Sequence, residues 1–179
     1  MRVVWFGENT IETIDQPDWA ALLNDPKGVL WVDLTGPSED DIALMRDVFH
    51  FHPLAIEDTT NQRQRPKVEE YRDYLFIIFN PVSEFEDDLV FRELDVFIRK
   101  HSIVTVHAAE SEPVIDQVMR RCEAKIEAEQ PITLGFLIYA LADEVVDLYF
   151  PLLDEIGDEI ETISESIIAN PRREDLNKL

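Results

Sequence analysis

Gly28-Val29-Leu30-Trp31-Val32-Asp33-Leu34 runs directly into Thr35-Gly36-Pro37 and then Ser38. A near-continuous apolar run of this length, closed by a Gly-Pro turn, suits a strand buried on both faces of a sheet. Ser38 is a good helix N-cap, and Asp41 three residues on is a weaker stand-in for the capping-box glutamate. Ile42, Met45 and Phe49 follow at helical spacing, with Leu44 and Val48 beside them. A buried strand feeding an amphipathic helix is the opening unit of an α/β domain.

Upstream, Arg2 to Gly7 reads as a short strand, and Asp18 to Leu23 as a helix closed by Asn24-Asp25-Pro26. Downstream, His52-Pro53 ends one helix and permits another, from Pro53 to about Thr60. Lys67 to Tyr71, Tyr74 to Pro81, Leu89 to Arg99 and Ser102 to His107 read as strands. Within the third of these, Leu94, Val96 and Ile98 alternate with Asp95, Phe97 and Arg99, which implies one buried face. Strands adjacent in sequence pair antiparallel, so the expected fold is α/β (α+β), with a mixed parallel/antiparallel sheet flanked by helices.

From Glu112 the pattern is helical. Val114, Val118, Cys122 and Ile126 recur at four-residue spacing before Pro131. A longer seam then runs through Leu134, Leu137, Leu141, Val145, Leu148, Leu152, Ile156, Ile160, Ile163 and Ile167, as in a helical hairpin or coiled coil. Pro151 is expected to kink it, and Asn170-Pro171 to end it. Arg172 to Leu179 starts a further helix that nothing closes. The expected organisation is an α/β domain over 1–130, a long acidic helix over 131–170, and the beginning of another helix over 171–179.

Sixteen Lys and Arg face 38 Asp and Glu among 179 residues, a formal charge of −22. Such a chain repels phosphate backbones, so no nucleic-acid partner is expected, whereas divalent cations and basic proteins are natural counterparts. The single cysteine, Cys122, allows no internal disulfide and fits a reducing compartment. Met1 to Phe6 is too short an apolar stretch for a signal peptide. The longest apolar run, Ile132 to Ala142, falls well short of the roughly 20 residues a membrane helix needs.

Catalytic templates fail: there is no Gly-rich phosphate loop, His-Glu-x-x-His, Gly-x-Ser-x-Gly or cysteine pair. No enzymatic activity is therefore expected. His50 and His52 have the wrong spacing for two ligands on one helical face and suit surface or capping roles. His101 and His107 flank a strand with no visible carboxylate partner. The strongest local signal is His52-Pro53-Leu54-Ala55-Ile56-Glu57-Asp58, followed by Gln64-Arg65-Pro66-Lys67-Val68-Glu69 and Tyr71. It places two carboxylates at the negative end of a short helix, which costs a few tenths to about 1 kcal/mol unless a cation offsets it. The residues alone leave open whether Glu57 and Asp58 are solvated or bind a cation.

This bipartite run, with Tyr74-Leu75-Phe76-Ile77-Ile78-Phe79, resembles the cytoplasmic domain of CorA-type magnesium/cobalt transporters. The resemblance extends through Trp31-Val32-Asp33-Leu34-Thr35-Gly36, Tyr139-Ala140-Leu141-Ala142-Asp143 and Val146-Asp147-Leu148-Tyr149-Phe150. It implies a regulatory domain that senses intracellular Mg2+ at acidic subunit interfaces, within a homopentamer at the cytoplasmic face of the inner membrane. Asp58 matches the principal ligand, with Glu57 beside it; Asp143 and Asp147 match acids near a secondary site. Mg2+, or Co2+ or another divalent cation, is the implied regulator. Helix 131–170 would then pack with the domain and a stalk helix beginning at 171–179. The partner ligand and the two membrane helices, with their Gly-Met-Asn signature, would lie beyond Leu179.

Two other readings remain. Zinc transporters of the same family share the architecture. From another class, an acidic scaffold or oligomerisation module could dock a basic partner on Asp154, Glu155, Asp158, Glu159, Glu161 and Glu165.

Overall fold

The computed structural model describes residues 1–61, 64–85, 88–108 and 112–169. The chain divides into two compact units, Met1–Val145 and Val146–Leu179. The first is built on a seven-stranded mixed sheet. Its strands are β1 (Arg2–Phe6), β2 (Ile11–Thr13), β3 (Val29–Thr35), β4 (Lys67–Glu70), β5 (Leu75–Phe79), β8 (Leu94–Ile98) and β9 (Ser102–His107). They lie in the order β2-β1-β3-β9-β8-β5-β4, and β6 (Val82–Phe85) with β7 (Asp88–Phe91) forms a separate ribbon. Only β3 and β9 pair parallel, Leu30 opposite Ser102 and Thr35 opposite His107; every other neighbouring pair is antiparallel.

The apolar run that opened the sequence is this central strand: Val29 through Leu34 are all buried. One face carries Leu30, Val32 and Leu34 into a core with Val104, Val106, Phe97, Phe76 and Ile78. That face is covered by α2 (Glu39–Asp47) and α3 (Pro53–Thr60), which contribute Met45, Ala55 and Ile56. The alternate residues Trp31, Asp33, Ile103 and Thr105 are buried too. The helices α4 (Glu112–Glu127) and α5 (Leu134–Asp147) bury Ile115, Val118, Cys122, Leu137, Ala140 and Leu141 in the same unit.

Local signals held where they were strongest. Ser38 caps α2 with both halves of a capping box: its hydroxyl accepts the Asp41 N–H, and its own N–H donates to Asp41 Oδ2 at 2.9 Å. Asp18 caps α1 (Trp19–Asn24) one way only, its carboxylate accepting from the Ala21 N–H at 3.1 Å. Gly36 takes φ +54°, the left-handed conformation that glycine adopts without penalty. Gly28 matters for a different reason. A Cβ there would lie 2.4 Å from the Phe6 carbonyl oxygen and 2.4 Å from the Trp5 ring. Gly28→Ala is therefore expected to destabilise the domain by about 1–3 kcal/mol through overpacking, read as a lower midpoint in urea unfolding.

Three expectations changed. The strand expected over Leu89 to Arg99 is two strands in different sheets, β7 and β8, because Arg92 turns back to bond its N–H to the Pro81 carbonyl. All five residues of β8 are buried, so its alternation marks two covered faces rather than one. The continuous helix expected from Leu134 is also two, α5 and α6 (Tyr149–Ala169). Pro151 has no N–H to give the Asp147 carbonyl four residues back, and its ring crowds that carbonyl; α5 ends at Asp147. In the second unit, Ile156 and Ile160 of the expected seam are exposed. The helix expected over 172–179 and the break at Asn170-Pro171 lie outside the described residues.

Candidate functional site

Both halves of the bipartite motif meet at α3. At its N-terminus His52 is the cap, with Nδ1 accepting the Leu54 N–H at 3.2 Å and Pro53 in the first turn. The His52 N–H donates to the Tyr74 hydroxyl at 2.9 Å, and Tyr74 stacks on Tyr71 with ring centroids 4.6 Å apart. At the C-terminal end Asp58 meets Lys67 of β4, with Nζ to Oδ2 at 2.7 Å. Thus β4 and the turn after it pin α3 at both ends, which is why the two runs of the motif occur together.

Lys67 also donates to Glu69 Oε1 at 2.9 Å, and the Tyr71 hydroxyl donates to Glu69 Oε2 at 3.1 Å. Partial burial works against the Lys67 charge, but the hydrogen bonds to Asp58 and Glu69 outweigh it and raise its pKa. The bond from Lys67 draws the Glu69 carboxyl below its ordinary value, against the effect of burial. Burial, then the hydrogen bond to Glu69, pushes the Tyr71 phenol up to about 12. The unfavourable end of the α3 dipole is thus neutralised by Lys67, a cation the motif itself supplies.

Asp58 is three-quarters buried, with 24% of its side chain exposed. Glu57 is exposed, and its carboxylate makes no hydrogen bond or ion pair with a described residue. Asp143 of α5 is held by Arg121 of α4 at 2.9 Å, and Arg121 also packs over the Tyr139 ring. Asp147 ends α5 and is exposed. Among the described residues, no three or more His, Cys, Asp or Glu side chains converge on one point that could hold a metal. The four acids found in the sequence are therefore not assembled into one cluster within a single chain.

Sequence reasoning missed two buried polar groups. His107 does have a carboxylate partner, contrary to expectation: Nε2 lies 3.2 Å from Asp33 Oδ1, with Thr105 also donating to Asp33 and the Trp31 indole donating to Thr105 at 2.9 Å. The partner comes from the parallel register of β3 on β9, which no local pattern reveals. The second group is Glu93 with Asp95. Asp95 is fully buried and Glu93 nearly so. Burial, then the neighbouring Glu93, raises the Asp95 carboxyl to about 8, and burial raises Glu93 as well. The available signal was an acid inside the apolar run Leu94-Asp95-Val96-Phe97-Ile98.

The family described as CorA-like Mg2+ transporter protein matches residues 26–179, and the chain belongs to it. It is 39% identical over 158 residues to the metal ion transporter YfjQ of Bacillus subtilis, covering 87% of this chain and 45% of that protein. It is 28% identical over 151 residues to the cobalt/magnesium transport protein CorA of Thermotoga maritima, covering 83% of this chain and 43% of that one. The chain thus spans less than half the length of these relatives. The fold matches the complete CorA magnesium transporter of Methanocaldococcus jannaschii with a TM-score of 0.68 at 18% identity, over 99% of this chain and 55% of that one. The soluble domain of that CorA gives 0.64 at 20% identity, over 98% and 68%. Among the described residues, no helix is long and apolar enough to cross a membrane.

Proposed function

We propose that this chain is the regulatory part of a divalent-cation transporter, sensing intracellular Mg2+ (or Co2+) at the cytoplasmic face of the inner membrane and doing no catalysis. In this reading it works as a homopentamer, with the pore formed by membrane helices from the rest of a longer protein. Membership of the family supports the reading. The observation that carries it is Asp58: a partly exposed carboxylate at the negative end of α3, already held by a cationic side chain.

The residues fit Mg2+ in a limited way. Mg2+ commonly binds through one or two carboxylates and keeps several waters. One chain offers Asp58, with Glu57 beside it, and a facing carboxylate would come from a neighbouring subunit. A cation shared across that boundary would draw the subunits together. Its removal would leave like charges facing each other and destabilise the closed arrangement. Lys67 sets the threshold, because the incoming ion competes with its ammonium group for Asp58 Oδ2. Asp143 and Asp147 would serve a secondary site, with Asp143 released from Arg121.

The test is limited proteolysis of the full-length transporter across a Mg2+ titration. Parent protein is expected to be protected, and Asp58→Ala to need about tenfold more Mg2+ or to lose protection. Equal protection of both removes Asp58 as the sensor. A zinc-transporting relative would share this fold, and metal uptake by the full-length protein distinguishes the transported ion.

A further inference from the structure

Glu93 lies between β7 and β8, and Asp95 is the second residue of β8. Asp95 sits across from Ile78 of β5 and from Val106 of β9. Both neighbours belong to the core beneath α3, so the Asp95 carboxyl lies inside the domain, with none of the residue exposed. The Asp95 and Glu93 carboxyls lie within hydrogen-bonding reach of each other, and no other group donates to either Asp95 oxygen or to Glu93 Oε1. Glu93 Oε2 is held by the Gln64 N–H at 2.6 Å. The carbonyl of Gln64 is in turn held by the Asn80 side-chain amide at 3.2 Å. Asp58 and Lys67 are close enough to act on the pair electrostatically.

Burying an acidic oxygen without a donor is costly, and buried carboxyls are ordinarily hydrogen-bonded or coordinate metals. Three bare oxygens face this problem at one place. A single proton shared between the two carboxyls satisfies two of them and leaves the third bare. A hard cation can contact all three, and two carboxylates are the ligand number Mg2+ commonly takes from a protein. We propose that Glu93 and Asp95 form a buried site for a hard divalent cation such as Mg2+ or Mn2+, separate from the site at Asp58. The two carboxylates anchor the ion from the strand end, and waters or backbone carbonyls complete its shell. The site belongs to one chain and does not depend on assembly.

Mn2+ is the probe. The chelator-stripped chain is titrated with MnCl2, and free Mn2+ is followed by its electron paramagnetic resonance signal. The parent is expected to bind an Mn2+ that Asp95→Asn and Glu93→Gln each lose or weaken at least about tenfold, and that Asp58→Asn keeps. Identical Mn2+ binding by the parent and Asp95→Asn overturns the proposal, as does absence of binding by the parent. Loss of the same ion in Asp58→Asn overturns the separateness of the site. Circular dichroism checks folding; should Asp95→Asn fail to fold, Glu93→Gln decides by the same criterion. The proteolysis result for Asp58→Ala is read independently, so failure of one site does not count against the other.

Discussion

Phe97→Ala is expected to cost about 3–5 kcal/mol of folding stability, the usual range for deleting a buried aromatic ring. Phe97 is fully buried in β8 and lies at the middle of an aromatic stack. Its ring centroid is 4.2 Å from Phe51, 4.5 Å from Phe76 and 5.9 Å from Tyr74. These neighbours come from the α2–α3 connection, β5 and the turn before β5, so no single element can close the gap. Domains of this size are commonly stable by about 5–15 kcal/mol, which makes this loss a large fraction of the total. Urea unfolding should show the midpoint fall with the slope unchanged. A midpoint within error of the parent would mean that the stack is not the centre of the core.

The second large effect concerns pH. In metal-free protein the Asp95 carboxyl holds its proton to about 8, because burial and Glu93 oppose its charge. In the unfolded chain the same group ionises near pH 4. A group whose pKa is higher in the folded state stabilises that state fully below the unfolded value, and the contribution is lost as pH rises through the folded value. Stability should therefore decline from about pH 4 up to about pH 8, by up to about 1.4 kcal/mol per pH unit, and level off above it. With a chelator present, the melting temperature of the parent is expected to fall between pH 5 and 8, by about 2–4 °C per kcal/mol lost. Asp95→Asn carries no charge to uncover, so its curve should be flatter over that interval. Parallel curves would place the titrating group elsewhere.

Much of this architecture was legible in the residues, and the reasons are local. Ser38 with Asp41 announces a helix start, Pro53 a first turn, and the apolar run ending at Leu34 a strand covered on both sides. These signals depend on neighbours a few positions away. The failures share the opposite cause. Arg92 breaks the stretch from Leu89 to Arg99 through a bond back to Pro81, and His107 gains Asp33 through a register set across the sheet. Pro151 was correctly singled out, but it separates two helices rather than bending one. For the candidate site, Asp58 was visible because of its motif, whereas its engagement with Lys67 required β4 to fold beside α3. Asp95 looked like one member of a polar alternation until both faces of its strand proved to be covered.

The parallel pairing of β3 with β9 also orders events in time. Trp31 and Asp33 reach their hydrogen-bonding partner Thr105 across sequence separations of 74 and 72 residues. As the chain is synthesised, β3 can pair with β1, but its other edge and its Asp33 carboxylate wait until β9 has been made. Two of the five interior strands, β3 and β8, border β9 and thus keep an exposed edge until it arrives, the form in which nascent chains associate wrongly. Closure of the sheet by a strand so late in the sequence favours slow folding, and it makes Ser102 to His107 the segment whose arrival commits the domain to its fold.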